Sequence, residues 1–207
     1  MQRRAFLRLC GVLACAGPSL LPAAELETKP YRRARLVDAT GRLLNAAQLA
    51  GNAGMIFHYP YVSTPAMVMD LGRAAPGGVG PTGGIVAFSA ICTHQFAYPT
   101  AALSAINYRP GDGRINCCLH GSVFDPAQGG AVLAGPAPKP LTAVVLEFEG
   151  DALVVLGTRG PEVYEAFFRT FKSELRELYG RGGAEQFVEG DARAVAAGEY
   201  SRQQVFC

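Results

Sequence analysis

Short hydrophobic runs, separated by glycine- and proline-containing turns, fill the middle of the chain. Several runs are rich in β-branched or aromatic residues and predict strands; they cover residues 54–59, 66–71, 84–89, 131–133, 142–148 and 152–156. Glu149-Gly150-Asp151 separates the last two runs and predicts a β-hairpin. Many short strands of this kind predict an all-β sandwich or barrel. His58, within the first run, is interpreted as a structural or surface residue.

The hydrophobic period becomes helical after residue 160. Pro161 suits the first turn of a helix and Gly180 its end. An apolar stripe at helical spacing lies between them; it comprises Val163, Phe167, Phe171, Leu175 and Leu178. This stripe can pack on the chain's own β domain or dock to a partner subunit. Docking is the sharper hypothesis, because an exposed apolar patch normally marks an interaction site. We therefore expect a chain that ends near Arg159 to keep its fold.

The last segment, residues 181–207, is polar and rich in glycine and alanine. It holds too little apolar material to fold alone, so an ordered tail would need a partner surface. Its final residue, Cys207, is expected to be an unpaired thiol.

Composition and charge fit one domain of moderate size with extensions. Of 207 residues, 49% are hydrophobic, which is enough for a packed core. The net charge is +2. Residues 1–24 contain three arginines and no acidic residue, so 16 basic and 17 acidic residues remain without them, a charge of −1. This balance gives no indication of a nucleic-acid partner.

The first residues are typical of an export signal. Met1-Gln2-Arg3-Arg4-Ala5-Phe6-Leu7-Arg8 resembles the twin-arginine signature, and an apolar run from Leu9 to about Ala24 follows. That run is too short and too rich in glycine and proline to span a bilayer comfortably. We expect residues 1–24 to direct the protein to the periplasm. An uncleaved signal that anchors the protein to the membrane is the alternative.

Two cysteine–histidine boxes carry the candidate chemistry. They are Cys92-Thr93-His94 and Cys117-Cys118-Leu119-His120, and they contain two of the chain's three histidines. A cluster in which one iron takes two thiolates and the other takes two imidazoles needs such pairs. Zinc uses the same ligand types, but no zinc-finger spacing begins with Cys-x-His. A cysteine can also be only a small buried hydrophobe, although both boxes would then be accidental.

These boxes resemble those of the Rieske iron–sulfur proteins. "AICTHQF" is similar to the first box, and "CCLHGSVFDPAQGGAVLAGPAPKPL" to the second box with its following proline loop. The resemblance implies a Rieske-type [2Fe–2S] cluster. In the family's pattern the ligand cysteine lies three residues before the histidine, which selects Cys117 over Cys118. The implied ligands and neighbouring residues are Cys92, His94, Cys117 and His120, with Gly121 and Ser122 in the surrounding shell.

The resemblance also divides the chain into segments. It implies a Rieske domain over residues 51–157, an antiparallel β sandwich or barrel in which a small subdomain at about 90–140 carries the cluster. An N-terminal segment, 25–50, precedes the domain, and a helical and polar extension, 158–207, follows it.

Departures from the family pattern predict a lower reduction potential. Respiratory members carry a second cysteine in each box, joined as a disulfide, where this chain has Ala97 and Leu119. Since Cys118 has no obvious partner either, we expect no disulfide. Phe124 replaces a tyrosine whose hydroxyl donates to a ligand sulfur, and losing a donor disfavours the reduced state. The long stretch between His94 and Cys117, with its turn at 110–113, is interpreted as a loop at the cluster end.

The sequence thus predicts an exported electron-transfer protein, without residues for substrate-bond chemistry. The sequence of the strands before the first box, and of the box itself, is most similar to the small Rieske subunit of arsenite oxidase. That resemblance implies a catalytic oxidoreductase subunit, such as a molybdenum-containing one, and a small redox carrier such as a cytochrome c or a quinone as partners. The alternatives are the Rieske subunit of a quinol-oxidising respiratory complex and a non-redox zinc-binding module.

Overall fold

The computed structural model describes residues 27–51 and 53–207, so the predicted export signal lies outside the described residues. Within them the chain is mostly β, as predicted. The strands are β1 (Thr28–Val37), β2 (Met55–His58), β3 (Pro65–Asp70), β4 (Ile85–Ser89), β5 (Leu103–Ser104), β6 (Ile106–Arg109), β7 (Arg114–Cys117), β8 (Ser122–Asp125), β9 (Ala131–Ala134), β10 (Ala143–Glu149), β11 (Ala152–Arg159), β12 (Gly190–Arg193), β13 (Val195–Ala196) and β14 (Gln203–Gln204). The helices are α1 (Ala46–Leu49), α2 (Tyr164–Thr170), α3 (Lys172–Tyr179) and α4 (Ala197–Tyr200).

An eight-stranded sheet forms the body of the molecule, in the order β12-β1-β11-β10-β4-β3-β2-β13. The predicted hairpin is present as antiparallel β10 and β11. The two edge strands, β12 and β13, are separated in sequence by Ala194 alone, whose N–H donates to the Val37 carbonyl (2.7 Å). Because consecutive residues form both edges, the sheet curls until it is nearly closed.

A second, four-stranded sheet, β6-β7-β8-β9, carries the second cysteine–histidine box. Its first hairpin corrects the interpretation of the stretch between the boxes. Arg109 pairs with Arg114 next to the turn, whereas Ile106 pairs with Cys117. The turn at 110–113 therefore lies at the opposite end of the hairpin from the box. Residues 103–104, 106–109 and 114–116 of the long stretch belong to strands β5, β6 and β7 rather than to a loop at the cluster end.

The hydrophobic core lies on both faces of β3 and β4, two central strands of the eight-stranded sheet. Side chains alternate across β3: Ala66 and Val68 face the interior of the curled sheet, while Met67 and Met69 face the four-stranded sheet. This period of two follows from strand geometry. Burial on both faces explains why β3 and β4 are nearly continuous hydrophobic runs.

The helical region differs from prediction in shape and in role. It forms two helices with Phe171 between them, and Gly180 ends the second at φ 76°. Val163, Phe167 and Leu175 are buried in a cluster that includes Ile91, while Leu178 is 67% exposed. The docking interpretation of the stripe is therefore wrong, because most of it packs on the chain's own β domain.

The C-terminal tail is ordered on the chain's own strands, not on another subunit. β12 pairs with β1, β13 with β2, and β14 with β5. The expectation that the chain has no disulfide is also wrong, since Cys118 and Cys207 are joined, with their Cα atoms 5.5 Å apart. The surface that the polar tail needed is supplied by backbone groups of β1, β2 and β5. None of the helices in the described part of the chain is both long and apolar enough to cross a bilayer.

Candidate functional site

The first box lies in a tight loop that follows β4. Cys92 N–H donates to the Ala97 carbonyl (2.8 Å), and Phe96 N–H donates back to the Cys92 carbonyl (2.9 Å). Phe96 adopts a positive φ of 57°, which closes the loop. The Thr93 hydroxyl donates to the Lys139 carbonyl (2.6 Å), so this loop is also tied to the segment after the second box.

The second box forms the turn between β7 and β8. Cys117 is the last residue of β7 and Ser122 the first of β8, and the two are paired across the strands. Gly121 N–H donates to the Cys117 carbonyl (3.0 Å) at φ 76°, a conformation that favours glycine. The turn therefore holds Cys117 at the buried end and leaves Leu119 and His120 exposed.

The two sulfur atoms meet in the core between the sheets. Cys92 and Cys117 are free thiols, 1% and 0% exposed, and they are hydrogen-bonded to each other. This bond lowers the pKa of Cys92 to about 7 and raises the pKa of Cys117, because the pair then shares a proton. A cation bound to both sulfurs would take the place of that proton.

The two imidazoles form a separate pair nearer the surface. The rings of His94 and His120 lie edge to face, with centroids 4.8 Å apart. Nδ1 of His94 is buried and has no hydrogen-bond partner. Such a nitrogen is costly unless it binds something, and a metal ion would satisfy it. Among the described residues no three His, Cys, Asp or Glu side chains converge on one ion. Two pairs suit two irons better than they suit the four ligands of one zinc ion.

Donors surround the sulfur pair. The buried Ser122 hydroxyl donates to the Cys92 sulfur and accepts from the Ala137 N–H (3.2 Å). Backbone N–H groups of Leu119 and His120 favour the thiolate form of Cys117 and so partly offset the rise in its pKa. Donors of this kind stabilise thiolates and therefore the reduced state of a bound cluster.

The proline loop lies directly against the second box. A Cβ atom at Gly135 would come 2.3 Å from the Gly121 carbonyl oxygen and 2.5 Å from Ser122 Cα, so only glycine fits there. Gly135 also has a φ of 84°. This contact and the Ala137 hydrogen bond hold the loop over the turn of the second box.

The structure thus brings together the four predicted ligands, Ser122 and Gly121. His58 is apart from them and hydrogen-bonds to the Tyr200 hydroxyl (2.8 Å). Sequence reasoning missed Cys207 at the end of the second box's disulfide. The available signal was that two cysteines outside the predicted export signal and ligand set remained in a protein expected to be exported.

Comparison with known proteins agrees with this geometry. The Rieske [2Fe-2S] domain family matches residues 61–156, a range that contains both boxes. The chain is 31% identical over 160 residues to "Iodate reductase subunit IdrB" of Denitromonas iodatirespirans, covering 77% of this chain and 82% of that protein. It is 32% identical over 162 residues to the protein of the same name from Pseudomonas sp. (strain SCT), covering 77% and 80%.

The chain therefore belongs to the Rieske [2Fe–2S] proteins, and its predicted fold class and cofactor are confirmed. Its relatives include iodate reductase subunits, so the resemblance holds at the level of a Rieske electron-transfer subunit and is not specific to arsenite oxidase. Among solved structures, the soluble domain of the Rieske protein II (soxF) from Sulfolobus acidocaldarius is 26% identical, with a TM-score of 0.47. That match covers 62% of this chain and 78% of that chain.

Proposed function

We propose that this protein is the Rieske subunit of an exported oxidoreductase and that Cys92, Cys117, His94 and His120 bind its [2Fe–2S] cluster. The observation that supports this most directly is the arrangement of two buried thiols and two adjacent imidazoles as separate pairs. When bound, the cluster supplies reversible one-electron chemistry.

The residues at the buried end and at the exposed end of the site would each influence that electron transfer. The thiol pair lies at the buried end, where the low exposure of Cys92 and Cys117 excludes water. His120 lies at the exposed end of its turn, beside Leu119, which is 53% exposed. Electrons would therefore enter and leave at the histidine end, and the Ser122 hydroxyl would favour the reduced state.

Spectroscopy of the purified protein tests the ligand assignment. We expect visible absorption from the oxidised protein and an axial EPR signal from the reduced protein. A zinc protein would be colourless and EPR-silent in both states. Full occupancy by zinc after expression with sufficient iron would contradict the proposal.

We further propose a catalytic subunit as one partner and a cytochrome c or a quinone as the other. The iodate reductase names of two relatives support an oxyanion-converting partner, and the arsenite oxidase resemblance supports the same class. The two substrates predict opposite electron flow. In a purified complex with the catalytic subunit, iodate should oxidise the reduced cluster if the partner is a reductase. Arsenite should reduce the oxidised cluster if it is an oxidase.

Export to the periplasm by the twin-arginine route is likewise proposed. The Cys118–Cys207 disulfide supports it, because stable disulfides are typical of oxidising compartments. Substituting lysine for both Arg3 and Arg4 should retain the protein in the cytoplasm, as measured by cell fractionation. Unchanged export of that variant would contradict the route.

A further inference from the structure

The C-terminal strap, residues 200–207, runs along the segment that connects the two boxes. Backbone N–H groups of Arg202 and Gln203 donate to the carbonyls of Ala101 and Ala102 (3.0 and 3.1 Å). The Ser201 hydroxyl donates to the Thr100 carbonyl (2.6 Å). The strap thus runs beside residues 100–104 and pairs with β5 as a parallel strand at Gln203–Gln204, although it comes from the far end of the sequence.

The strap is fixed to the large sheet at its beginning. The Tyr200 hydroxyl hydrogen-bonds to Nε2 of His58 (2.8 Å) at the end of β2. Just upstream, Ala197 N–H donates to the Gly54 carbonyl (3.0 Å), and β13 pairs with β2. The strap therefore starts from a rigid position on the eight-stranded sheet.

The strap ends on the second box. Cys207 is disulfide-bonded to Cys118, the residue between the proposed ligand Cys117 and the exposed Leu119. Cys118 N–H also donates to the Ala105 carbonyl (2.6 Å). The covalent bond thus fixes the main chain at the start of the turn that carries both proposed ligands of the second box.

A small movement of the backbone at Cys118 would change the surroundings of the Cys117 sulfur. The N–H groups of Leu119 and His120, one and two residues after Cys118, lie close enough to the Cys117 sulfur to stabilise its thiolate form. Leu119, His120 and Gly121 are all exposed. The side chains of Leu119 and His120 pack little, and the Gly135 contact supports the turn only at its Gly121 end. The direction of the two N–H groups therefore also depends on the Cys118 end of the turn.

We propose that Cys207 is a positioning residue, whose disulfide to Cys118 holds the second ligand turn against the large sheet and sets the reduction potential of the cluster. This inference rests on the proposed role of Cys117 and His120 as ligands. Without the disulfide the turn moves more, the two amide donors reach the Cys117 sulfur less often, and the reduced state loses stabilisation.

The test compares wild-type protein with the variants Cys207→Ser, Cys118→Ser and the double variant, each loaded with its cluster. We expect all three to show the same lowered midpoint potential and broadened EPR lines. We also expect amide exchange at Cys118 and Gly121 to be about tenfold faster or more. Equal effects in the single and double variants assign the change to the bond and not to either side chain.

Phe206→Ala is the matched control. Phe206 is 60% exposed and precedes Cys207, and its substitution leaves the disulfide in place, so its potential and exchange rates should equal those of wild type. If a cysteine variant fails to assemble, the wild-type protein with its disulfide reduced by a phosphine gives the same comparison. Unchanged potential, spectrum and exchange without the disulfide would overturn this inference. Absence of a Rieske signal from wild type would instead overturn the proposed function.

Discussion

The loops that carry the two boxes are held in place by different means. The first loop lies over a core, since Ile91 beside Cys92 is fully buried against Phe167 and Leu175 of α2 and α3. The second turn is exposed at Leu119 and His120 and is held by its own glycine turn and by a disulfide to the chain's last residue. The helices of the extension thus support the first loop by packing, whereas its last residue supports the second turn by a covalent bond.

This difference shows how the chain compensates for the missing family disulfide. Where the respiratory pattern joins the two boxes directly, this chain has Ala97 and Leu119, and Ala97 is buried. The crosslink instead closes a loop of 89 residues in sequence. By the chain-entropy model such a loop contributes about 4 to 5 kcal/mol by restricting the unfolded state. The C-terminal extension thus supports both boxes, by its helices at the first and by its tail at the second.

The largest effect should come from the proposed ligands of the second turn. His120→Ala removes one of two imidazole ligands, and we expect complete loss of the Rieske visible and EPR signals. Cys118→Ser, two residues away, should retain the cluster, since Cys118 binds Cys207 and not iron. Iron content and EPR of both variants make the comparison. Cluster loss in Cys118→Ser with retention in a Cys117→Ser variant would show that the ligand choice is wrong.

The next largest effect concerns the packing beneath the first loop. Phe167 is fully buried, and its ring centroid is 4.9 Å from that of Tyr98. Phe167→Ala should lower the free energy of unfolding by about 3 to 5 kcal/mol, as measured by denaturant titration. Leu178→Ala, at a position 67% exposed on the same predicted stripe, should change it by less than about 0.5 kcal/mol. If both substitutions changed the free energy of unfolding by the same small amount, the stripe would not be packed on the β domain and the docking interpretation would stand.

Deleting everything after Arg159 extends this test. The structure reverses the expectation that such a chain folds, because the deletion removes β12, β13, the core beneath Ile91 and the disulfide. We now expect an unstable protein that does not retain a cluster, as read from far-UV circular dichroism and visible absorption. A stable truncated protein with full cluster absorbance would contradict the assignment of this extension to the fold.

The sequence predicted the strands with strong local patterns and missed those without one. The hairpin of β10 and β11 was clear because β-branched runs flank Glu149-Gly150-Asp151. β1 was missed because its sequence, TKPYRRARLV, is dominated by basic residues that remain exposed. β13 and β14 are two residues long, which is too short to show a period.

The candidate ligands were visible in the sequence, whereas the contacts that support them were not. Each box places its ligand types within a few residues, and the resemblance of both boxes to the Rieske pattern then implies the chemistry. The Cys118–Cys207 bond joins residues 89 positions apart, and no local pattern determines which distant cysteines meet. The apolar stripe of the helical region was visible in the sequence. The hydrophobic period alone, however, does not distinguish a helix face that packs on its own domain from one that docks to a partner.

A smaller effect on stability should follow from the attachment of the strap to His58. Burial lowers the pKa of His58 below its ordinary value of 6.5. As pH falls below 6.5, the unfolded chain therefore binds this proton before the folded protein does. Stability should fall by up to about 1.4 kcal/mol per pH unit until the folded pKa is reached, and should not change through this group above 6.5.

Denaturant titrations from pH 7.5 to 5 measure this dependence. His58→Gln keeps a polar side chain beside Tyr200 but cannot titrate, so subtracting its profile isolates the contribution of His58. Identical slopes for the two proteins would exclude His58 as the source.

The smallest expected effect, on redox rather than stability, concerns Phe124 on the strand after the second turn. Phe124 is fully buried in the same core cluster as Cys92 and Cys117. Phe124→Tyr supplies the hydroxyl that this chain lacks relative to the family pattern. If that hydroxyl donates to a ligand sulfur, it should raise the midpoint potential by roughly tens of millivolts, since donors favour the reduced state.

Phe88→Tyr is the matched control, because the Phe88 ring in this same cluster faces the Gly130 backbone. Protein-film voltammetry should show a rise for Phe124→Tyr alone. An equal or lower potential in that variant, with its EPR spectrum otherwise intact, would mean that the second turn's own amide donors already determine the potential.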